Sequence, residues 1–183
     1  MATTTKLVTY EEWLTMPEVQ DATEEVVNGE IRIMPPPKFE HALIVHALRR
    51  ALERQVDPET VYVLDTQFGL IIRRAPLTSR VLDIAVFQKS NLVVLDGYIH
   101  SAPALVVEVL SPANTRAERA EKLQDYAAIG VPEVWVAVPK DRAIEVLLLK
   151  EGKLTTVALL REGTLRPTQF PEVAVDIATV WPD

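Results

Sequence analysis

Apolar residues recur along the chain at two spacings, which predict both helices and strands. From Phe39 to about Val56 the apolar positions follow a helical period, and Asp57-Pro58 ends the pattern. Strand-like apolar runs occupy much of the remaining chain, at 61–64, 67–73, 81–87, 104–110, 133–138, 143–149 and 154–160. These elements predict a single α/β (α+β) domain over residues 1–183, with a central mixed sheet flanked by helices.

Two capping boxes mark where helices begin. Thr9 with Glu12, and Thr115 with Glu118, have the spacing in which each partner's side chain bonds the other's backbone amide. The first pair predicts a short helix near the N-terminus. The second predicts a helix that ends at Gly130, since glycine commonly terminates helices.

Two strand regions carry additional signals. Asn28-Gly29 divides the apolar segment 26–33 and predicts a β-hairpin. The run 104–110 is almost wholly apolar, so we expect it to be buried on both faces at the centre of the sheet.

The composition narrows the chemistry that the chain can support. The 183 residues include no cysteine, which excludes disulfides, thiolate zinc sites, iron–sulfur clusters and thiol nucleophiles. No apolar stretch reaches the roughly 18 to 20 residues of a membrane span, and the N-terminus lacks the features of a secretory signal. We therefore expect a cytoplasmic protein without a membrane partner, in which oxygen or histidine would ligate any metal.

The formal net charge of −7 argues against broad attraction to nucleic-acid phosphates, which requires clustered lysine and arginine. Two short groups of basic residues could still form a local patch. The first group is Arg49, Arg50 and Arg54, and the second is Arg73, Arg74 and Arg80. The charge therefore weakens the case for a nucleic-acid substrate without excluding it.

Two carboxylates stand where the pattern predicts buried strands. Asp83 interrupts the run 81–87 and Glu108 interrupts the run 104–110. An ionised carboxylate buried in this way costs several kcal/mol unless a cation pairs with it. Because two carboxylates on neighbouring strands also repel each other, one shared Mg²⁺ or Mn²⁺, which prefers oxygen ligands, would satisfy both.

Lys122 is the candidate third member of this site. It shares a partly apolar stripe of its predicted helix with Tyr126, so it should face the sheet. In phosphodiester hydrolysis such a lysine could orient or help deprotonate the attacking water and stabilise the phosphorane charge. In a purely structural alternative, Lys122 pairs with Glu118 on the helix surface. Asp83 then bonds Arg80 or a backbone amide.

Motifs of other enzyme classes are missing from the sequence. The chain has no Gly-x-x-x-x-Gly-Lys-Ser/Thr phosphate loop, no Gly-x-Gly-x-x-Gly dinucleotide motif and no Gly-x-Ser-x-Gly nucleophile elbow. Nucleotide hydrolysis, dinucleotide binding and serine hydrolysis are therefore not supported.

The segments around the candidate residues resemble a known family, the Uma-type bacterial endonucleases of the PD-(D/E)xK, restriction-endonuclease-like superfamily. The resemblance covers nearly the whole chain, and it is carried most clearly by Val81 to Asp83, Leu105 to Pro112, Glu121 to Tyr126 and Gly130 to Trp135. It implies a restriction-endonuclease-like fold with a central mixed sheet.

The resemblance also implies roles for single residues. Asp83 and Glu108 would bind the metal, and the backbone carbonyl of Val109 would be a further ligand. Lys122 would be the catalytic lysine, although the superfamily usually places it two residues after the second acid, where this chain has Leu110. Two further departures from the usual pattern are Leu82 in place of proline and Glu118 in place of aspartate.

Other polar residues are secondary candidates. Glu25 and His41 match further polar positions of the family, and an acidic residue from that region could approach the metal as an outer ligand. A capping or surface position is the commoner alternative for His41. Gln67 and Arg119 are candidate contacts to phosphate or to the site residues, and His46 is expected to pack in the core.

The resulting hypothesis is a Mg²⁺- or Mn²⁺-dependent endonuclease that hydrolyses DNA. Two alternatives stay open, namely a catalytically silent module that keeps the fold and binds nucleic acid or protein, and a metal-assisted hydrolase of a small phosphorylated substrate. A homodimer is an expectation from the resemblance alone, because paired sites often cut both strands in this superfamily.

Overall fold

The chain forms two six-stranded sheets and three α-helices within the residues that the structure describes. This structure is a computed structural model that describes residues 7–17, 19, 22–65, 68–112 and 114–182. The helices are α1 (Tyr10–Trp13), α2 (Phe39–Glu53) and α3 (Arg116–Ala128), and short 3-10 turns lie at Lys89–Asn91, Pro139–Asp141 and Ile177–Thr179. None of the helices in these ranges is long and apolar enough to cross a membrane.

The strands are numbered in chain order. They are β1 (Thr23–Val27), β2 (Glu30–Met34), β3 (Val61–Asp65), β4 (Gly69–Arg74), β5 (Leu77–Val81), β6 (Ile84–Gln88), β7 (Val94–Leu95), β8 (Tyr98–Ile99), β9 (Leu105–Val109), β10 (Glu133–Val138), β11 (Ala143–Lys150), β12 (Lys153–Leu160), β13 (Thr164–Leu165) and β14 (Val175–Asp176).

Both large sheets are mixed. The first has the order β2-β1-β5-β4-β8-β7, the second has the order β12-β11-β10-β9-β6-β3, and β13 pairs with β14 separately. The parallel pairs are β4 with β8 in the first sheet and β9 with β10 in the second, and the other neighbours run antiparallel. The prediction of an α+β fold with a mixed sheet is confirmed.

Strand β9 lies inside the second sheet, between β6 and β10, so its predicted central position is confirmed. Its residues alternate between two buried layers, as the period of a strand requires. Leu105 and Val107 pack in the same core as the apolar face of α2, whereas Val106 packs with Tyr126 of α3. Glu108 is two residues from Val106 and therefore points to the α3 side of the sheet.

Helix α2 turns a narrower apolar face to the core than its sequence predicts. Ile44, Val45, Leu48 and Leu52 are buried, whereas His46 is exposed. The expectation that His46 packs in the core is therefore wrong. The buried stripe repeats at four-residue intervals, and His46 falls outside it.

The predicted strand over 81–87 is confirmed from Ile84 onward and wrong before it, because the chain leaves one sheet and enters the other within the predicted run. Strand β5 ends at Val81 in the first sheet, and β6 begins at Ile84 in the second. Leu82 and Asp83 form the crossing, where Leu82 is buried among apolar side chains. Asp83 therefore belongs to neither strand, and its side chain is not bound to point to one face of a sheet.

The turn, the helix caps and the C-terminal strands that the sequence predicts are all present in the structure. The Asn28-Gly29 hairpin joins β1 to β2, with positive φ angles of 52° and 81°. Both predicted capping boxes are present at the starts of α1 and α3. The antiparallel C-terminal strands β10, β11 and β12 are confirmed as well.

Candidate active site

Asp83 and Glu108 lie at the same end of two neighbouring strands. Strands β6 and β9 pair antiparallel with Ile84 opposite Val107, so the residue before β6 lies beside the last residues of β9. Asp83 Oδ2 accepts a hydrogen bond of 2.7 Å from the backbone amide of Val109. This bond fixes the Asp83 carboxylate against the strand that carries Glu108.

The second oxygen of Asp83 faces helix α2. His41, in the first turn of that helix, has its Nε2 3.1 Å from Asp83 Oδ1. The hydrogen bond to Asp83 raises the pKa of His41, although burial of the ring opposes the shift. Within the described part of the chain, the buried Nδ1 of His41 has no hydrogen-bond partner. The structure therefore places His41 in the site, and the surface position considered from the sequence is wrong.

Lys122 points inward from α3 and has three oxygen acceptors. Its Nζ lies 3.1 Å from Glu108 Oε2 and 3.3 Å from the backbone carbonyl oxygen of Val81. The third acceptor is Glu25 Oε1, also at 3.3 Å. Burial disfavours the ammonium, but the charges of the neighbouring carboxylates outweigh it and raise the pKa of Lys122.

The proposed surface pair between Lys122 and Glu118 does not form. Glu118 instead accepts hydrogen bonds from the backbone amide and hydroxyl of Thr115, at 2.8 and 2.9 Å, as part of the capping box. Asp83 accepts a hydrogen bond from the backbone amide of Val109, one of the two contacts that a purely structural role would give it. The other contact, with Arg80, does not form, because Arg80 pairs with Glu25. Glu118 therefore helps to start α3 and contacts neither acid of the site through these bonds.

Glu108 is the most electrostatically strained carboxylate of the site. Burial raises its pKa to about 7, and the nearby charge of Asp83 adds to this rise while Lys122 opposes it. The hydroxyl group of Tyr126 donates a hydrogen bond to Glu108 Oε1. The helical period predicts that Tyr126 shares a stripe with Lys122, but nothing near it in the sequence indicates a role, because its partner lies on β9.

Glu25 and Arg80 form a buried ion pair next to the site, with 3.0 Å between Arg80 Nη1 and Glu25 Oε2. The two side chains are only 3% and 2% exposed. The sequence allows two roles for Arg80, in a local basic patch or as a partner of Asp83. Its burial among acidic side chains makes both interpretations wrong.

The remaining candidates are less central. Val109 contributes its amide to Asp83, and the ligand role of its carbonyl stays a prediction. Arg119 forms an ion pair with Glu145 of β11. Gln67 lies outside the described residues.

The arginines that could have formed basic patches mostly have partners within the protein. Arg49 pairs with Asp65 and Glu53, each at 3.2 Å. Arg74 pairs with Glu11 at 2.6 Å, and Arg73 donates to the side chain of Asn28. The ion pairs of Arg49 and Arg74 reduce the positive charge that a nucleic acid would meet, whereas the amide partner of Arg73 leaves its charge in place.

A small cavity opens on the α3 side of Glu108. It encloses about 80 Å³ between β2 and α3, and its lining includes Arg32, Met34, Leu110 and Lys122. A larger groove of about 990 Å³ lies on the other side of Met34, where Trp13, Phe68 and Val81 contribute to its walls. Lys122 lines the narrow cavity, and Val81, whose carbonyl oxygen accepts its hydrogen bond, lines the open groove.

The two carboxylates fit a divalent cation that keeps water ligands. Each of their oxygens has a single protein donor, which leaves lone pairs for a metal. Burial is the main cause of the raised pKa of Glu108, and a cation bound to the carboxylate would favour its charged form. Across the described ranges, no three His, Asp or Glu side chains converge to hold a metal. A metal here would need water ligands, which suits Mg²⁺.

Comparisons with known proteins identify the family and the fold. A family model described as "Uma2: Putative restriction endonuclease" matches residues 9–178. The crystal structure of "a putative nuclease" from Anabaena variabilis has the same fold, with a TM-score of 0.79 and 19% sequence identity over 94% of this chain and 97% of that chain. No curated protein matches the chain. The family resemblance seen in the sequence is confirmed, and the chain belongs to the Uma2 family.

Proposed function

We propose that this protein is a metal-dependent endonuclease that hydrolyses phosphodiester bonds in DNA. The observation that carries the proposal is the meeting of three groups: the carboxylates of Asp83 and Glu108, and the Lys122 ammonium 3.1 Å from Glu108. Membership in the Uma2 family supports nuclease chemistry, and the fold is that of a solved structure described as a nuclease.

Asp83 and Glu108 would hold Mg²⁺ or Mn²⁺ through the lone pairs that their protein donors leave free. The backbone carbonyl of Val109 is proposed as a further ligand, because its amide already lies against Asp83. When bound, the metal would polarise the phosphoryl group and supply positive charge. His41 would keep the Asp83 carboxylate in one orientation.

Lys122 would act as an ammonium throughout. Its three oxygen neighbours match the three N–H donors of a protonated lysine, so this geometry favours the charged form. A charged lysine donates hydrogen bonds and cannot accept a proton. Its charge would stabilise the phosphorane from that position, and the N–H now on Glu108 would turn to the attacking water once the metal holds that carboxylate.

Cleavage of supercoiled plasmid and linear DNA in Mg²⁺ and in Mn²⁺ tests this proposal. Asp83→Asn and Lys122→Ala should each lower the cleavage rate by roughly 100-fold or more, since each removes a group that acts on the transition state. Asp141→Asn and Lys140→Ala, in an exposed turn, are the matched controls and should cleave like the original protein. Cleavage that is unchanged in the site variants would refute the catalytic assignment.

One observation favours a silent binding module as the second candidate. The surface ion pairs of Arg49 and Arg74 reduce the positive charge available to a DNA substrate. Titration with Mn²⁺ and with DNA separates the two functions. Binding of Mn²⁺ without DNA cleavage would favour the silent module.

The size of the enclosed cavity speaks against a small phosphorylated substrate. At about 80 Å³, the space beside Glu108 is well below the roughly 300–1,000 Å³ of typical small-molecule sites. This space has room for only a few water molecules. A substrate that approaches Lys122 from the open side fits the geometry better.

A further inference from the structure

Arg80 joins three acidic residues in the interior of the protein. Its guanidinium lies 3.0 Å from Glu25 of β1, 2.6 Å from Asp125 of α3 and 3.2 Å from Glu121 of the same helix. The side chain is 2% exposed, so it cannot contact a substrate directly. Burial disfavours its charge, but Glu25 and Asp125 more than compensate and raise the pKa of Arg80.

Glu25 continues these contacts to Lys122. Its Oε2 is held by Arg80, whereas its Oε1 accepts from the backbone amide of Val81 at 3.1 Å and lies 3.3 Å from Lys122 Nζ. Both carboxylate oxygens are therefore engaged. The contacts run from Arg80 through Glu25 to the candidate catalytic lysine.

We propose that Arg80 and Glu25 are positioning residues that hold Lys122 in place. A lysine side chain has a long flexible stem, so its ammonium needs fixed partners to occupy one position. Glu25 is such a partner only because Arg80 and the Val81 amide fix its carboxylate. The catalytic meaning of this role rests on the proposed nuclease function, whereas the positioning itself does not.

Arg80 also fixes the helix that carries Lys122. Glu121 and Asp125 lie on α3 on either side of Lys122 along the chain, and Arg80 holds both. Arg80 itself belongs to β5, which pairs with the strand that contains Glu25. The planar guanidinium can serve all these carboxylates together, whereas the compact ammonium of a lysine at position 80 could not.

This assignment differs from an outer metal-ligand role for Glu25. The Glu25 carboxylate has three donors on its two oxygens and is only 3% exposed, which leaves less room for a metal than at Asp83 and Glu108. Replacing Glu25 should therefore disturb Lys122 and spare the affinity for a metal. An outer ligand would show the opposite pattern.

The reactivity of Lys122 toward acetic anhydride, measured by peptide mass spectrometry, tests the positioning role. The exposed Lys140 serves as an internal reference. Glu25→Gln and Arg80→Lys should each increase the acetylation rate of Lys122 by about tenfold or more, since each weakens a charge-assisted contact. Arg74→Met removes a surface ion pair on β4 and is the matched control, with no change expected at Lys122.

Two further measurements on the same variants complete the test. Calorimetry with Mn²⁺ should give Glu25→Gln the affinity of the original protein, and DNA cleavage should show a lower kcat with an unchanged KM. Arg80→Met, which removes the positive charge, is measured as well. If this variant does not fold, the test rests on Glu25→Gln and Arg80→Lys.

Unchanged acetylation of Lys122 in folded Glu25→Gln and Arg80→Lys would overturn the positioning role. A loss of Mn²⁺ affinity in Glu25→Gln would also overturn it, because Glu25 would then be a ligand. If the original protein cleaves no DNA, the nuclease proposal fails, yet the acetylation rates still decide whether Arg80 and Glu25 position the lysine.

Discussion

At the scale of single residues, the site depends on how Glu108 is held within a buried layer. Lys122 and Tyr126, one turn apart on α3, each donate to a different oxygen of its carboxylate. The helical period places both donors on one face, so one helix satisfies the whole carboxylate. Glu108, the proposed metal ligand, can remain in the interior of a sheet because these two donors offset its burial.

Removing the hydroxyl group of Tyr126 should therefore destabilise the protein. Tyr126→Phe leaves Glu108 Oε1 buried without its donor, which costs roughly 1–3 kcal/mol. Urea unfolding measures this loss. Tyr62→Phe, at an exposed ring on β3, is the control and should change stability by less than about 0.5 kcal/mol. Equal stabilities of the two variants would show that the Tyr126 hydroxyl contributes nothing.

The sequence identifies those site residues that break a pattern in their own segment. Asp83 and Glu108 interrupt apolar runs, and Lys122 shares an apolar helix stripe, so all three could be predicted. Arg80 could not be assigned, because its partner Glu25 lies 55 residues away. His41 was underestimated for the same reason, since nothing near it in the chain indicates Asp83.

At the scale of elements, the crossing from β5 to β6 positions Asp83. Strand β5 was missed because Thr78, Ser79 and Arg80 are polar, and yet all three are buried. Hydrophobic periodicity cannot detect a strand whose buried side chains are polar. The turns and caps were predicted correctly, because their signals depend on neighbours in the chain.

The β1–β2 hairpin offers a test of how tightly an element is enclosed. Gly29 and Gly97 both have positive φ, 81° and 84°, so alanine strains the backbone at either position. A Cβ at Gly29 would lie 2.7 Å from Leu7 Cβ, whereas a Cβ at Gly97 would meet nothing within 4 Å.

We therefore expect Gly29→Ala to lower the thermal midpoint clearly more than Gly97→Ala does. The free energy of unfolding should differ between the two variants by about 1 kcal/mol or more, because a close contact of this kind forces backbone shifts. Calorimetric melting of both variants measures it. Equal midpoints would mean that Leu7 does not close over the hairpin.

At the scale of the whole molecule, charge and shape favour different modes of DNA binding. The net charge is −7, and several arginines are paired internally, so long-range attraction to phosphates is weak. The site nevertheless adjoins an open groove of about 990 Å³ through Met34 and the Val81 carbonyl. Affinity should then come from a few local contacts.

DNA binding should accordingly depend only weakly on salt. The slope of log K against log salt approaches −0.9 for each neutralised phosphate, so we expect a magnitude below about 3. Fluorescence anisotropy with a labelled duplex over a series of salt concentrations measures it. A magnitude near that of a strongly basic DNA-binding protein would mean that a positive surface outside the described contacts dominates.

The central claim is that Asp83 and Glu108 share a divalent cation beside Lys122. Anomalous diffraction from a crystal soaked in Mn²⁺ tests it most directly. The predicted result is one Mn²⁺ peak within about 2.2 Å of an oxygen from each carboxylate, with the Lys122 ammonium directed toward the same space. A fully soaked crystal with no peak between the two carboxylates, or with Mn²⁺ bound only elsewhere, would contradict the claim.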